Sequence, residues 1–445
     1  MFQTIKNAFK LQDLRSKILF TLLIVLIYRI GAAIPVPFID AEALSALFAA
    51  GAEQSNTIFG YLNILSGNAF AQATVFALSV SPYITAQIVI QLLTIAIPAL
   101  ERLSKEGEEG QKKINMYTRI LTIILSIVMS YGYYSYLNYG VVGVNGERLI
   151  LADGRGFFGA LVIIACYCAG ASIVMWIAEK INTSGIGNGI SIILLVNIVA
   201  SWPASLYNNI VSLANSGANA GRNIQIVKYA ASVVGVCVIA ILIVAFVIFI
   251  TNSERRLQVQ YAKRVVGRKM YGGQSTHLPM KLNMSGVMPI IFASSIVSLP
   301  ATIASFFPNS SFWSGVNNFF SFTSPVYIIL YFVLIILFSY FWATIQFNPI
   351  EVANNLKKNG GFITGIRPGK PTSDFITKVL GKITLVGALF LGVIAVFPLV
   401  INALVSIGNI AFGGSSLLIV VGVILETIQD LEAQITMRHY KGFLG

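Results

Sequence analysis

Charge is what this sequence has least of. Only 11% of its 445 residues are Asp, Glu, Lys or Arg, and 56% are hydrophobic, against about 25% charged in soluble domains. A chain so poor in charge cannot cover its own surface against water, which excludes a soluble globular protein and leaves a polytopic membrane protein. Histidine is scarcer still: His277 and His439 lie far apart in polar segments, too far in sequence to suggest a metal centre. The three cysteines, Cys166, Cys168 and Cys237, sit inside apolar runs without disulfide or zinc spacing, and read as packed apolar side chains. Neither a Walker A pattern nor an HExxH pair is present. GIGNGIS (Gly185–Ser191) has the glycines of a nucleotide loop, but it follows a membrane helix rather than a strand, and reads as a joint between two spans. Within the apolar runs ionisable residues are few, Arg29 and Glu426 among them, and they form no acidic cluster. Ion-coupled transporters keep acidic groups at the midplane. The sequence therefore argues against catalysis and coupled pumping, and no catalytic residue, metal or cofactor is expected.

What is present is apolar sequence in lengths suited to a bilayer, which needs about 20 residues per helix. Such runs cover Ile18–Ile34, Ala71–Ile97, Met116–Leu137, Phe157–Ile177 and Ile190–Leu206, then Ile226–Ile250, Ser285–Phe307, Val326–Phe347, Ile383–Ile407 and Ser415–Leu431. The N-terminal MFQTIKNAFKLQDLRSK reads as an amphipathic cytosolic helix ahead of a retained first span,. Arg29 costs that span about 2.5–3.5 kcal/mol. Its eleven Leu, Ile, Phe and Val residues return roughly 3–7 kcal/mol on the same kind of scale.

With Arg29 set aside, the N-terminus, the even connections and the C-terminal tail hold 25 Lys and Arg, and the odd connections hold 4. The positive-inside rule places both termini and the even connections in the cytosol. Two cytosolic loops are long and basic: Thr251–Asn283 has seven basic residues and one acid, and Asn348–Lys382 has six and two. Their turn formers, Gly272–Gly273, Gly360–Gly361 and Ile366–Pro371, favour structured prongs for an acidic partner such as ribosomal RNA or an acidic protein face. Anionic lipid headgroups attract such loops too. Five spans, a longer external link and five more spans imply two halves, the second inverted, with a pathway at their interface.

The stretch Thr57–Leu100 is the least like a simple anchor. A short apolar piece, Thr57–Phe70, precedes a full run that contains Pro82 and the glutamines Gln72, Gln87 and Gln91. Interrupted backbone at membrane depth survives only beside protein or a water-filled cavity, so this stretch reads as the wall, and a candidate stopper, of an aqueous path.

Several segments together carry a family resemblance: RIGAAIPVP (Arg29–Pro37), SGNAF, SPYITAQIVIQLL (Ser81–Leu93), KEGEEGQKKINMYTR (Lys105–Arg119), GIGNGIS, YAKRVVGRKMYGGQSTHLPMKLNMSGVMP (Tyr261–Pro289), NPIEVANNLKKNGGFITGIRPGKPT (Asn348–Thr372) and GGSSLLIVVGV (Gly413–Val423). In this order and with ten spans, the chain resembles the SecY family, the channel subunits of the bacterial Sec protein translocon. The resemblance implies an all-α polytopic membrane protein with ten transmembrane helices, in two inverted five-helix halves around a central hourglass pore. The halves are residues 1–206 and 226–431, joined by an external hinge at 207–225 and followed by a cytosolic tail at 432–445.

Matched by motif, the family's pore ring falls on Val80, Ile84, Ile190, Leu194, Ile291 and Ile419. Val80 with Ile84, and Ile190 with Leu194, are four residues apart and so share a helix face. A narrow apolar collar excludes ions by dewetting, yet can widen around a passing chain. Val80 and Leu194 depart from the commonest all-isoleucine pattern. The implied plug comprises Thr57, Ile58, Phe59, Gly60, Tyr61, Leu62, Asn63, Ile64, Leu65, Ser66 and Gly67, within the piece that ends at Phe70. The implied lateral gate lies between spans two and three and spans seven and eight. Motor or ribosome docking maps onto Arg268, Lys269 and Arg367. Asn182–Thr183–Ser184, ahead of GIGNGIS, stands where many relatives carry charge.

The resemblance implies partners of several kinds: SecE-like and SecG-like small membrane subunits, the SecA motor ATPase, the translating ribosome (ribosomal RNA and proteins), signal-peptide-bearing preproteins and anionic lipids. It also implies the bacterial cytoplasmic (inner) membrane as the location, with both termini cytosolic. The expected function is the central pore subunit of general secretion, passing unfolded preproteins across and transmembrane segments sideways into lipid. The rival readings are an inverted-repeat solute transporter, which would need a midplane polar cluster, and a scaffold for a cytosolic complex, which would not need the interrupted Thr57–Leu100 stretch.

Overall fold

Polar and turn-forming residues cut the apolar sequence into helices, with two small sheets among the described residues. The computed structural model of the chain describes residues 2–50, 58–140, 148–215, 238, 241–261, 264–266, 269–271, 275–305, 307, 310–321, 324–405 and 414–441. Helices α1 (Phe2–Lys10) and α2 (Gln12–Gly31) lead to the short α3 (Ala41–Ala50) and α4 (Ile58–Ser66). Then come α5 (Ser81–Ala96), α6 (Pro98–Lys105), α7 (Glu108–Ser135), α8 (Phe157–Ser184) and α9 (Gly189–Asn215). The later helices are α10 (Ile241–Thr251), α11 (Met288–Ser305), α12 (Ser311–Phe319), α13 (Pro325–Gln346), α14 (Pro349–Lys358), α15 (Lys370–Val405) and α16 (Gly414–Lys441).

Each of the ten apolar runs holds at least part of a helix. Among the described residues, four helical stretches are long and apolar enough to cross a membrane: Glu108–Tyr139, Phe157–Ser184, Pro325–Lys358 and Lys370–Phe397. A fifth is counted if α5 and α6, which meet at a bend of 101°, form one broken span. Gly189–Pro203, Ile241–Thr251 and Met288–Ala304 are apolar but shorter. The ten-span reading is thus seen here in its coarser form, a mostly helical membrane protein. The hinge expected at 207–225 is described only as far as Asn215, where α9 ends. Cys237 lies outside the described residues.

The second apolar run departs from its expected shape. Instead of one helix over Ala71–Ile97, residues 71–80 form turns and α5 begins only at Ser81. Pro82 therefore occupies the first turn, where its missing N–H costs nothing,. Ala73 and Ser79 in the turn segment have φ of 47° and 50°, a left-handed conformation that disfavours side chains with a Cβ.

Burial follows the membrane pattern. On α7, Thr118, Thr122, Ser126 and Ser130 recur every four residues and are buried, while Ile120, Ile123, Ile124, Ile127 and Val128 are exposed. Small polar residues let helices approach closely and large apolar ones face lipid. The buried hydroxyls bond back along the helix, as in Thr122 Oγ1 to Thr118 O at 2.7 Å. At one end of the α7–α8 pair, Arg119 meets Glu179 at 2.7 Å.

The two basic loops share one sheet. Strand β1 (Glu254–Tyr261) pairs antiparallel with β4 (Ser275–Lys281), while β2 (Arg264–Val266) and β3 (Lys269–Tyr271) form a separate hairpin between them. The other edge of β1 pairs with β5 (Gly361–Ile363) from the second loop. Leu257, Val259, Met280 and Ile363 pack here against Leu356, Ile376 and Leu380. The loops are structured, and they are joined through the last residues of β1, Val259 to Tyr261, rather than separate.

Candidate pore and docking face

The candidate collar is assembled from the ends of four helices. Val80 caps α5, and its carbonyl accepts the Ile84 N–H at 3.0 Å, which holds both side chains over one turn. Ile190 and Leu194 lie in the opening turns of α9, whose start is tightly specified. Asn188 Oδ1 accepts the Ile190 N–H at 3.1 Å, and Asn182 Oδ1, from the last turn of α8, accepts the Gly189 N–H at 2.7 Å. A Cβ on Gly189 would lie 2.1 Å from the Ala178 carbonyl oxygen, so only glycine lets α9 start against α8. GIGNGIS is therefore a close helix–helix joint, and Asn182, noticed in the sequence only as an uncharged departure, is one of its caps. Ile291 lies in the first turn of α11. Ile419 lies on α16, which approaches the start of α11 so closely that a Cβ on Gly422 would meet Val287 Cγ2 at 2.1 Å.

All six residues fall in one apolar cluster, none more than 3% exposed: Val80, Ile84, Ile190, Leu194, Ile291 and Ile419. Ile64 and Leu65 of α4 pack against the same cluster. The six sequence-matched residues thus lie in the large apolar core that runs from Ile24 to Leu425, and the candidate plug helix packs against the same core. Thr57 lies outside the described residues, and α4 holds Ile58 to Ser66 with Gly67 just beyond.

Polar groups anchor the far end of α4. Asn63 Oδ1 accepts the Ala71 N–H at 2.9 Å, and Ser66 Oγ accepts the Phe70 N–H at 3.0 Å. Tyr133 of α7 donates its hydroxyl to the Phe70 carbonyl at 2.7 Å. From α9, fully buried Asn197 donates through Nδ2 to the Leu65 carbonyl at 2.8 Å, Tyr28 Oη at 2.9 Å and Ser79 Oγ at 3.0 Å. Arg29 of α2 donates to the Val196 carbonyl at 2.5 Å and, more distantly, to the Gly67 carbonyl at 3.5 Å. Arg29, accommodated in the sequence reading as a snorkelling or protein-facing charge, faces protein here. Asn197 was not singled out: one asparagine in an apolar run carries no signal until its partners, up to 169 residues away, are known.

A cavity of about 50 Å³ lies between α4, α5, α7 and α11, lined by Leu62, Leu65, Thr85, Tyr133, Ser295 and Ser298 among others. Further along α5, the side-chain carbonyls of Gln87 and Gln91 are buried without a hydrogen-bond partner among the described residues. Of the expected docking residues, Arg268 lies outside the described residues, Lys269 opens β3, and Arg367 is exposed between β5 and α15, where its carbonyl accepts the Thr372 hydroxyl at 2.8 Å. No group of three or more His, Cys, Asp or Glu suited to a metal ion occurs among the described residues.

The SecY family profile matches residues 74–428. A protein translocase subunit SecY of Streptomyces galbus is 42% identical over 453 residues, covering all of both chains. Among solved structures, one described as a protein-conducting channel superposes with a TM-score of 0.64 at 19% identity, covering 94% of this chain and 92% of that one. The canine Sec61 of a ribosome–channel complex from the endoplasmic reticulum superposes at 0.59 and 18% identity, with the same coverages.

Proposed function

The chain belongs to the SecY family and is the non-enzymatic, membrane-embedded channel subunit of a protein translocase; from that premise we propose how its own residues conduct and hold back polypeptide. Ten spans in two inverted halves, 1–206 and 226–431, enclose the path, with the hinge at 207–225 outside and both termini in the cytosol of a bacterial inner membrane. The charge asymmetry of the connections supports that orientation,.

Val80, Ile84, Ile190, Leu194, Ile291 and Ile419 form the collar. The observation that carries this reading is their convergence from α5, α9, α11 and α16 into one buried cluster. An apolar collar offers water and ions no hydrogen bonds, so it stays dry when narrow. A polypeptide entering it displaces only dispersion contacts, each about 0.1–0.2 kcal/mol, so the collar opens in small steps and closes around any sequence. Helix α4, with the flanking residues 57 and 67, is the plug below the collar. The cavity between α4, α5, α7 and α11 marks the lateral gate, where an apolar segment can part these helices and reach lipid. The test is crosslinking of a translocating chain that carries a bromoacetyl group to single cysteines at Ile84→Cys and Ile291→Cys. Reaction at both is expected; transport without reaction at either would remove the collar assignment.

The joined basic loops dock the energy source. Arg367 is exposed on a connection held by the Thr372 bond, Lys269 opens β3, and Arg268 precedes it in the sequence. The exposed positive charge suits the phosphates of ribosomal RNA or an acidic motor surface. Solved relatives are described in ribosome complexes, which supports the ribosome as a partner of this chain. The further proposed partners are a SecA-like motor, SecE-like and SecG-like membrane subunits, signal-bearing preproteins and anionic lipids. Arg367→Glu should lower ribosome or motor binding at least tenfold, about 1.4 kcal/mol, and slow export of a signal-bearing protein. Undiminished binding and export would sink the docking role.

A further inference from the structure

We propose that Asn197 and Arg29 form a polar latch that positions the plug's C-terminal end and so sets how firmly the resting channel is shut. The proposal rests on the reading of α4 as the plug. Side chains of α2, α7 and α9 and of the turn segment converge on that end. Asn197 Nδ2 has two hydrogens but three acceptors in reach: the Leu65 carbonyl, Tyr28 Oη and Ser79 Oγ. The Leu65 carbonyl can only accept, so it claims one hydrogen, and the two hydroxyls share the other while donating in turn. Ser79 Oγ donates to the same Leu65 carbonyl at 3.4 Å. One carbonyl at the end of α4 is therefore gripped by α9 directly and by the start of α5 through Ser79.

Arg29 adds charge to the same place. The last carbonyls of a helix carry partial negative charge and have no partner within it. The guanidinium lies beside Gly67, where an added Cβ would be 2.9 Å from both terminal nitrogens, and Gly67 has φ of 67°. Only glycine satisfies both the backbone and the approach of Arg29. The 2.5 Å bond to the Val196 carbonyl pins the guanidinium to α9 at the residue beside Asn197. Two independent side chains, from α2 and α9, thus reach the same short segment of the plug.

The segment they hold is under backbone strain. Asn68, Ala73 and Ser79 all have positive φ, at 70°, 47° and 50°. Non-glycine residues persist in such conformations only where surroundings over-determine them. Tyr28, Asn197 and the bonded carbonyls supply that determination around Ser79. Release of the latch frees Ser79 to relax, so plug departure and unwinding of residues 71–80 are coupled.

The experiment is resting ion conductance of the full chain, purified with its native membrane partners and reconstituted in planar bilayers. Asn197→Leu keeps the side chain's branched shape and removes its donors; Arg29→Gln removes the charge and keeps a polar side chain; Ser79→Ala is the mild alternative where Asn197→Leu fails to accumulate. Each of the first two should raise resting open occupancy about tenfold, equivalent to ~1.4 kcal/mol, with Ser79→Ala giving a smaller rise and Arg29→Lys partial rescue. Deletion of residues 58–66 should raise it further, and adding Asn197→Leu to that deletion should change nothing more. If the deletion leaks while both single variants stay shut, the latch is wrong and the plug reading stands. If the deletion itself stays shut, the plug reading falls and the latch with it. If Asn197→Leu raises the leak of the deletion further, Asn197 acts on something other than the plug, and the latch is overturned.

Discussion

The proposed collar and the proposed latch meet on α9 and at the start of α5 and are built from opposite chemistry. On α9, Ile190 and Leu194 enter the apolar cluster and Asn197 enters the polar one. At the start of α5, Val80 joins the collar and the preceding residue, Ser79, joins the latch. Apolar contacts are non-directional and individually weak, so a collar seals around whatever fills it and has no preferred occupant. Hydrogen bonds in a water-poor interior are directional and costly to leave unmade, so a latch holds one segment in one pose. A protein-conducting channel needs both. The path must tolerate every substrate sequence, while the resting stopper must be held in one place.

The sharpest way to break this division is to put charge into the collar. Ile291→Asp places a carboxylate in the buried apolar cluster that also holds Val80, Ile84 and Ile419, and burying an unpaired ion costs several kcal/mol even after relaxation. The expected result is a hydrated collar with standing ion conductance in bilayers, or loss of the assembled complex on size-exclusion chromatography. An apolar exchange at the same level, Leu194→Ile, should cost less than about 1.5 kcal/mol and leave export rates unchanged, because the collar requires apolar volume rather than a given side chain.

A steric change that disturbs both devices together comes next. Gly170 of α8 lies so near the turn segment that a Cβ would fall 1.9 Å from the Val75 carbonyl oxygen. Gly170→Val should displace residues 71–80, costing about 1–3 kcal/mol as overpacking does, and should lower thermal stability and raise resting leak in the same variant. Stability falling without any leak would separate the turn segment from gating.

The smallest effect is expected at Tyr133→Phe. This removes the hydroxyl that donates to the Phe70 carbonyl but keeps the ring packed on Phe70, whose centroid is 4.3 Å away. A net loss of about 1 kcal/mol should give a few-fold rise in leak with unchanged expression, read by the same conductance assay. A rise as large as that of Asn197→Leu would move the main grip on the plug from α9 to α7.

Much of the architecture was legible as hydropathy and charge. Each apolar run holds at least part of a helix, Pro82 and the short piece before it marked an interruption, and the basic loops announced structured segments. Other features were hidden because they depend on pairs far apart in the chain. The β1–β5 pairing joins Gln260 to Phe362, which no local pattern of either loop announces. The start of α9 depends on Asn182 and on the contact of Gly189 with Ala178. The collar is the extreme case: Ile and Val fill every span, and the six were matched in sequence only through family motifs.

By itself, then, the sequence determined that this chain is a multi-helix membrane protein with basic, folded loops and an interrupted helix near its start. Transfer free energy and charge are close to additive, residue by residue, so a window of sequence suffices to read them. The tertiary structure alone decided which residues are buried in one apolar cluster, and that Arg29 and Asn197 converge on the Leu65 and Gly67 carbonyls. Such convergence is a property of distances between remote residues. A hydrogen bond that exists at 2.8 Å and vanishes a few ångströms farther leaves no trace in composition or periodicity.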